Sequence, residues 1–208
     1  CVGIETDLTG AELAVLAWLS QDSNMIDHVR RNNLPEEHPD HYDIHSRQAV
    51  KTFALSGVEP TKTGMKNAGK KGLRVAAKNV NFGIPYGRGA EAIARQCKEE
   101  GVEVTAGECQ AMIDAYFDSY PGTYDFLEAC KERSQKPGWL VGPYGRMRRF
   151  TRPFDNDRAT IAEQQRQAQN FPIQGGVADA VSIALANFMK YRDDHPEIRY
   201  DIALQIHD

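Results

Sequence analysis

Four side chains recur at steps of four residues: Arg74, Lys78, Phe82 and Tyr86. Each step advances about 400° around an α-helix, so successive members drift by only about 40° and share one stripe. The two cations can neutralise triphosphate oxygens, and the two rings can provide a flat surface for a sugar and a base. The spacing predicts a nucleotide-binding stripe, although an amphipathic helix with aromatic core residues would give the same pattern.

Two carboxylates stand at the ends of predicted strands. Asp7 follows an apolar segment at residues 1–6, and Asp208 follows an alternating segment at residues 200–206. Aligned strand ends would bring the two side chains together. A pair of Asp residues can hold two Mg²⁺ ions, one activating an attacking hydroxyl and one stabilising a leaving group in an in-line displacement. Taken singly, each is equally compatible with a surface Asp at a strand end.

A second polar stripe is formed by Arg166, Asn170 and Gln174, again at steps of four, with Pro172 between the last two. Hydrogen-bonding side chains on one stripe, beside a helix of small residues, can read the minor groove of a duplex. The alternative is a solvated helix face.

A rival interpretation concerns residues 64–71 (GMKNAGKK), which nearly fit the phosphate-binding P-loop pattern. The pattern fails at its last position, where a P-loop needs a Ser or Thr hydroxyl for Mg²⁺. The preceding residues 58–63 also contain Pro60 and charge, instead of a buried strand. This alternative predicts ATP hydrolysis that is lost on Lys70→Ala.

Composition allows one domain or two small lobes, because the chain has 208 residues, of which 41% are hydrophobic. No apolar run reaches the ~20 residues needed to cross a bilayer, and the first 20 residues do not resemble a signal peptide. The cysteines lack metal-type spacing, which favours reduced thiols over zinc ligands or disulfides. They are Cys1, Cys97, Cys109 and Cys130.

Charge is unevenly distributed along the chain. The net charge of -4 argues weakly against a nucleic-acid binder. Residues 60–90, however, contain no Asp or Glu and seven cations, and a second basic stretch follows near residue 150. The first group is Lys62, Lys66, Lys70, Lys71, Arg74, Lys78 and Arg88; the second is Arg146, Arg148, Arg149 and Arg152. Both could face phosphates, or could be solvated surfaces.

Apolar spacing and end signals predict a helix-rich α+β chain with strands at its two ends. Strands are predicted at residues 1–6 and 200–206, and a hairpin at 139–151. Helices are predicted at residues 11–19, 44–54, 73–86, 90–100, 105–116, 121–127, 157–170 and 175–191. Thr105 and Glu108 match a capping box, and Pro121 suits a first helical turn. Pro85 predicts a kink, and residues 57–72 a flexible connection.

Taken in order, these segments resemble the family A (DNA polymerase I-like) DNA polymerases over the whole chain. Residues 7–13 (DLTGAEL) look like motif A, and residues 74–87 (RVAAKNVNFGIPYG) look like motif B. Residues 205–208 (QIHD) look like the start of motif C, and residues 43–45 (DIH) and 166–174 match intervening blocks. Gly10 and Ala14 depart from the common bacterial pattern and are more like phage or organellar relatives.

The resemblance implies an antiparallel-sheet palm at residues 1–12 and 139–208, and helical fingers at 13–138. It implies a site residue by residue. Asp7 and Asp208 would bind two Mg²⁺ ions together with the Leu8 carbonyl. Glu12 would exclude a 2′-hydroxyl. The phosphates would be contacted by Arg74, Lys78 and His45. Phe82 would lie against the sugar, and Tyr86 would lie in the templating pocket. Primer-template DNA would be contacted by Arg166, Asn170, Gln174 and His207.

The implied function is template-directed DNA synthesis from dNTPs on a primer 3′-hydroxyl, in the cytoplasm or, for a viral protein, the host cytoplasm. We expect the chain to be a fragment that is inactive alone, because motif C stops at Asp208. Pro85 is expected to alter closure of the fingers. Two alternatives stay open: a single-subunit RNA polymerase, disfavoured by Glu12 and Phe82, and a non-catalytic DNA-binding module.

Overall fold

A computed structural model describes residues 8–151 and 157–202. The elements over these ranges are α1 (Ala11–Ser20), α2 (Ser23–Asn32), α3 (Ile44–Thr52), α4 (Lys62–Asn67), α5 (Lys71–Gly83), α6 (Ala90–Glu99), α7 (Ala106–Ser119), α8 (Pro121–Ser134), β1 (Trp139–Val141), β2 (Met147–Arg149) and α9 (Arg158–Asp194). Strands β1 and β2 pair antiparallel as a hairpin. The predicted helix-rich α+β class is therefore confirmed.

One large hydrophobic core joins the helices. It is built from fully buried side chains such as Leu16 on α1, Met25 on α2, Ile93 on α6 and Met112 on α7. The most extensive helix contacts are those of α8 with α9, α3 with α5, and α6 with α7. Helix α5, which carries the predicted nucleotide stripe, is held between α3 and α6. None of the helices in the described ranges has the length and apolar character that crossing a bilayer requires.

Local end signals were predicted correctly. The Thr105 hydroxyl accepts from the Glu108 amide at 3.1 Å, and the Glu108 carboxylate accepts from the Thr105 amide at 2.8 Å, which completes the capping box of α7. Pro121 is in the first turn of α8. Three cysteines are free and buried: Cys97, Cys109 and Cys130. Cys1 lies outside the described residues.

Helix α2 was not predicted. Its amphipathic signal is short, because Met25 and Val29 are its buried positions. The available sequence signal is Asp22, whose carboxylate accepts from the Met25 amide at 2.9 Å and caps the helix.

The predicted break near Pro172 was wrong, because residues 157–170 and 175–191 belong to one helix, α9. Pro172 removes a single backbone hydrogen bond, to the Ala168 carbonyl. Packing compensates for that loss, since Pro172, Ile173 and Gly176 are buried. A β-carbon at Gly176 would lie only 2.9 Å from Cγ1 of Val15, so α9 approaches α1 closely there.

The helix predicted to run to residue 86 is shorter than expected, because α5 ends at Gly83, and the disruption predicted at Pro85 is a helix end and not a kink. Pro85 has no N–H to bond the Asn81 carbonyl. The chain instead forms a turn, in which the Tyr86 amide donates to the Gly83 carbonyl at 3.1 Å. Tyr86 therefore leaves the helix and can face other elements.

The flexible connection predicted at residues 57–72 contains helix α4, capped by Thr61, whose hydroxyl accepts from the Gly64 amide at 2.9 Å. Gly64 lies inside this helix, and turns and bends precede it. The P-loop alternative needs a strand and an open glycine loop here, and is wrong. Of the strand predicted at 200–206, residues 200–202 have no regular secondary structure. The other residues of that strand, and the strand at 1–6, lie outside the described residues.

Gly64 has a packing role that can be tested. A β-carbon there would lie 2.4 Å from the Glu59 carbonyl oxygen. We expect Gly64→Ala to lower the free energy of unfolding by about 2 kcal/mol in urea titrations, because backbone must move. Gly107→Ala in α7 is the matched control, since its nearest neighbour is 3.9 Å away, and should stabilise by about 0.5 kcal/mol. Equal effects of the two substitutions would contradict this account.

Candidate nucleotide-binding site

Helix α5 brings three of the predicted side chains to one surface. The ammonium of Lys78 lies 5.8 Å from the centre of the Phe82 ring, and the His45 ring is also 5.8 Å from that ring. Arg74 lies one turn before Lys78 and is partly buried. Cations and an aromatic face are thus adjacent, as the spacing predicted.

Arg74 is fixed by an ion pair with Asp43. Its Nε donates to Asp43 Oδ2 at 2.8 Å and to the Ser46 hydroxyl at 3.1 Å. Asp43 is only 3% exposed and also caps α3, accepting from the His45 and Ser46 amides at 3.1 Å each. Burial alone would raise the pKa of Asp43, but the hydrogen bonds from Arg74 and Ser46 outweigh burial and hold the pKa below its usual range.

His45 is buried beside these cations. Its Nδ1 lies 2.8 Å from Nδ2 of Asn81, a fully buried residue of α5. Burial, together with the positive charges of Arg74 and Lys78, lowers the pKa of His45 to about 4, even though the Asp43 carboxylate opposes that shift. His45 is therefore neutral at pH 7 and can serve as a hydrogen-bonding group without charge.

The pKa shifts of His45 and Asp43 predict that the protein loses stability over two successive pH windows as pH falls. Between about pH 6.5 and about pH 4, the unfolded chain protonates His45 and the folded chain does not, so the free energy of unfolding falls as pH falls. Below about pH 4, the unfolded chain takes up the Asp43 proton before the folded chain does, and stability falls further. Chemical denaturation across pH should show that the loss of stability in the first window is smaller in His45→Gln, and that the loss in the second is smaller in Asp43→Asn. An unchanged profile in both variants would refute the assignment.

A second cluster joins three distant parts of the chain. The Tyr86 hydroxyl donates to Oε1 of Glu12 at 2.5 Å, and Nε2 of Gln174 contacts both groups. Glu12 lies in the first turn of α1, where a negative charge is favourable. Burial and the carboxylate acceptor raise the pKa of Tyr86 to about 12, so the phenol stays protonated as a donor.

The turn after α5 is packed against the α9 stripe. Gly87 has φ +66°, and a β-carbon there would meet Gln169 Oε1 at 2.7 Å and Arg166 Cγ at 2.8 Å. Only glycine combines that backbone conformation with so close an approach. Gly87 thus holds Tyr86 near α9.

The three side chains of the polar stripe on α9 lie in different surroundings. Arg166 is exposed and forms a 2.5 Å ion pair with Glu163. Oδ1 of Asn170 is buried, and the described residues give it no hydrogen-bond partner. Gln174 faces the Glu12 cluster. The contact of this stripe with DNA stays a prediction.

Of the expected metal ligands, only Leu8 lies in the described ranges, and its carbonyl accepts from the Ala11 amide at 3.4 Å at the start of α1. Asp7, Asp208 and the DNA contact predicted for His207 lie outside the described residues. Residues 8–151 and 157–202 alone contain no group of three or more His, Cys, Asp or Glu arranged for a metal ion.

Sequence reasoning missed two residues of this site. Asp43 was recognised within a motif but not as the partner of Arg74, and Asn81 was not singled out. The N-cap position of Asp43 before apolar Ile44 is a readable signal. Its pairing with Arg74, 31 residues away, is a tertiary contact.

The model for DNA polymerase family A matches residues 1–208. The chain is 34% identical over 209 residues to DNA polymerase I of Treponema pallidum (strain Nichols), covering 99% of this chain and 18% of that protein. It is 29% identical over 205 residues to the thermostable DNA polymerase I of Thermus thermophilus, covering 97% and 21%. The chain thus spans about a fifth of the length of these relatives.

A solved structure is also similar. It is the POL domain of Pol1 from M. smegmatis in complex with DNA primer-template and dNTP. The TM-score is 0.73 at 26% identity, over 97% of this chain and 31% of that one.

Proposed function

Because the chain belongs to DNA polymerase family A, we propose that the full-length protein is a template-directed DNA polymerase that adds dNTPs to a primer 3′-hydroxyl. The observation that carries this proposal is the cluster of Lys78, Arg74, His45 and Phe82 on one surface around α5. The similar M. smegmatis domain is described in complex with primer-template and dNTP, which supports the same ligands here.

In this proposal, Lys78 and Arg74 bind the triphosphate. Arg74 uses Nε for Asp43 and Ser46, and the described residues leave its terminal nitrogens available for phosphate oxygens. Because Asp43 fixes the side chain, little rotamer entropy is lost on binding. Neutral His45 adds a hydrogen bond beside the two charges.

Phe82 and Glu12 select the sugar. Phe82 offers its ring face next to Lys78, and Glu12 is held by Tyr86 and Gln174, so its carboxylate cannot easily move aside for a 2′-hydroxyl. A single-subunit RNA polymerase would have to accept that hydroxyl. Tyr86 would line the templating pocket, and Arg166, Asn170, Gln174 and His207 would contact primer-template DNA.

Asp7 and Asp208, with the Leu8 carbonyl, would hold the two Mg²⁺ ions, which activate the 3′-hydroxyl and stabilise departing pyrophosphate.

The palm would then comprise residues 1–12 and 139–208, and the fingers residues 13–138. We also propose a cytoplasmic location, or the host cytoplasm if the protein is viral.

Primer extension by the full-length protein tests the function. We expect incorporation of the dNTP complementary to each template base, loss of synthesis with a chelator, recovery on adding Mg²⁺, and strong preference for dNTPs over rNTPs. Equal use of rNTPs would favour the RNA polymerase alternative. Salt-sensitive DNA binding without any synthesis would favour a non-catalytic module.

A further inference from the structure

The β1–β2 hairpin presents one exposed face. Trp139 pairs with Arg149 and Val141 with Met147, so these four side chains share one side of the two strands. All four are exposed. Leu140, on the opposite side, packs against a small buried cluster that includes Phe150. The hairpin is therefore anchored by one face and open on the other.

Two aromatic rings are exposed at this hairpin. Trp139 is 49% exposed and Tyr144, at the hairpin turn, is 49% exposed. The Tyr144 ring lies 6.0 Å from the ring of Trp18 on α1, which is 47% exposed. The exposed surface of rings of this size is in unfavourable contact with water, and stacking on flat ligands would bury it.

The sequence that contains the hairpin is basic. Residues 133–154 include Arg133, Lys136, Arg146, Arg148, Arg149 and Arg152, and no Asp or Glu. Arg146 is paired with Asp179 on α9, and Arg148 donates to Gln167 at 2.5 Å. The Arg149 guanidinium lies 5.8 Å from the centre of the Trp139 ring, and the described residues give it no carboxylate partner. Arg149 can therefore bind an external anion, beside a ring that can stack.

The inner face of the hairpin, which carries Arg148, contacts α9 beside the polar stripe. Arg148 bonds Gln167, the neighbour of Arg166, and lies 6.0 Å from the centre of the Phe171 ring, the neighbour of Asn170. The hairpin is thus attached to α9 alongside residues 166–174.

We propose that the exposed hairpin face, together with Tyr144 and Trp18, is a stacking platform for unpaired bases of the template strand. Exposed rings with interleaved arginines suit single-stranded nucleic acid, since every base has a flat face and every nucleotide a phosphate. A duplex would offer the rings no free base faces. This inference rests on the proposed polymerase function, which supplies the unpaired template.

The first test measures binding of the full-length protein to primer-templates with a one-nucleotide or an about twelve-nucleotide 5′ template overhang. We expect wild type to bind the long overhang more tightly. Trp139→Leu should reduce that preference by about tenfold, as for the loss of one stacked base. Arg149→Gln should reduce it too, and should lower the salt dependence of long-overhang binding by about 0.7 in log–log slope.

Matched controls lie elsewhere on the surface. Tyr124→Leu removes an exposed ring on α8, and Arg95→Gln an exposed cation on α6; both should keep the wild-type preference. In a second test, 5-iodouracil in the template overhang should crosslink on irradiation to Trp139, Tyr144 or Trp18, as mapped by mass spectrometry.

Different results would overturn the proposed polymerase function and the proposed stacking platform. Wild-type protein that cannot extend the short-overhang primer overturns the polymerase function, whereas the crosslink still reports on the hairpin. Extension of that primer with no preference for the long overhang, or with a preference unchanged in both Trp139→Leu and Arg149→Gln, overturns the platform. Crosslinks confined to other residues overturn it as well.

Discussion

Replacing Lys78 with Ala is expected to lower kcat/KM for dNTP incorporation by about 10²–10³-fold in the full-length protein, the effect typical of removing one electrostatic donor to a reacting group. The Lys78 ammonium is exposed, and its nearest aromatic contact is the Phe82 ring at 5.8 Å. The described residues form no ion pair with it, and the Glu100 carboxylate interacts with its charge only at longer range. Its charge is therefore available to the triphosphate and contributes little to folding.

Single-turnover extension at varied dNTP concentration measures this effect. Stability should change by less than about 0.5 kcal/mol, as for other exposed side chains. Lys78→Arg keeps the charge and should recover part of the activity. Lys98→Ala, an exposed cation on α6, is the control and should leave kcat/KM unchanged. An equal effect of the Lys78 and Lys98 substitutions would remove Lys78 from the site.

Replacing Asp43 with Ala is expected to cost about 3–5 kcal/mol of the free energy of unfolding, the range for removing one partner of a buried ion pair. Asp43 accepts from the amides that begin α3 and from the Arg74 Nε at 2.8 Å. Removing the carboxylate leaves two amides at the start of α3 without their hydrogen-bond acceptor. It also leaves the partly buried Arg74 without its counter-charge.

Asp22→Ala is the matched control for this substitution. Asp22 is also a buried N-cap, of α2, and accepts from the Met25 and Gly122 amides, but the described residues show no ion pair for it. We expect a loss of about 2 kcal/mol, at the upper end for a cap alone. Urea titrations of both variants then give the contribution of the Arg74 pair as the difference. Equal losses would mean that the pair adds nothing to stability.

The same pair links stability to nucleotide binding. Arg74→Ala should lower the affinity for phosphate. It should also lower stability, because Asp43 stays buried without its cation, so the two effects must be measured separately. A double-mutant cycle with Asp43→Asn isolates the coupling, because the amide keeps the shape of the carboxylate without its charge.

Local features of the fold were predictable because neighbouring residues form them. The Thr105–Glu108 capping box, the Pro121 helix start and the 139–149 hairpin each depend on hydrogen bonds or dihedral preferences within a few residues. The α5 stripe was predictable for the same reason, since a regular helix fixes which side chains share a face.

One failure of prediction occurred where packing outweighs local preference. Pro172 should interrupt a helix, but α9 continues through it because the loss of one backbone hydrogen bond is offset by burial of Pro172, Ile173 and Gly176. Pro85 has the opposite outcome. There α5 ends at Gly83, and the turn that follows is held by the close packing of Gly87 on α9.

The sequence by itself determined the helix-rich class, the ends of several elements, the family and the cation–aromatic stripe on α5. The tertiary structure alone decided that Arg74 pairs with Asp43, that His45 is neutral, and that Tyr86 meets Glu12 and Gln174. These contacts join residues 31 to 88 positions apart. Local preferences contain no information about such pairs, because they exist only once burial has brought distant helices together and removed water from between them.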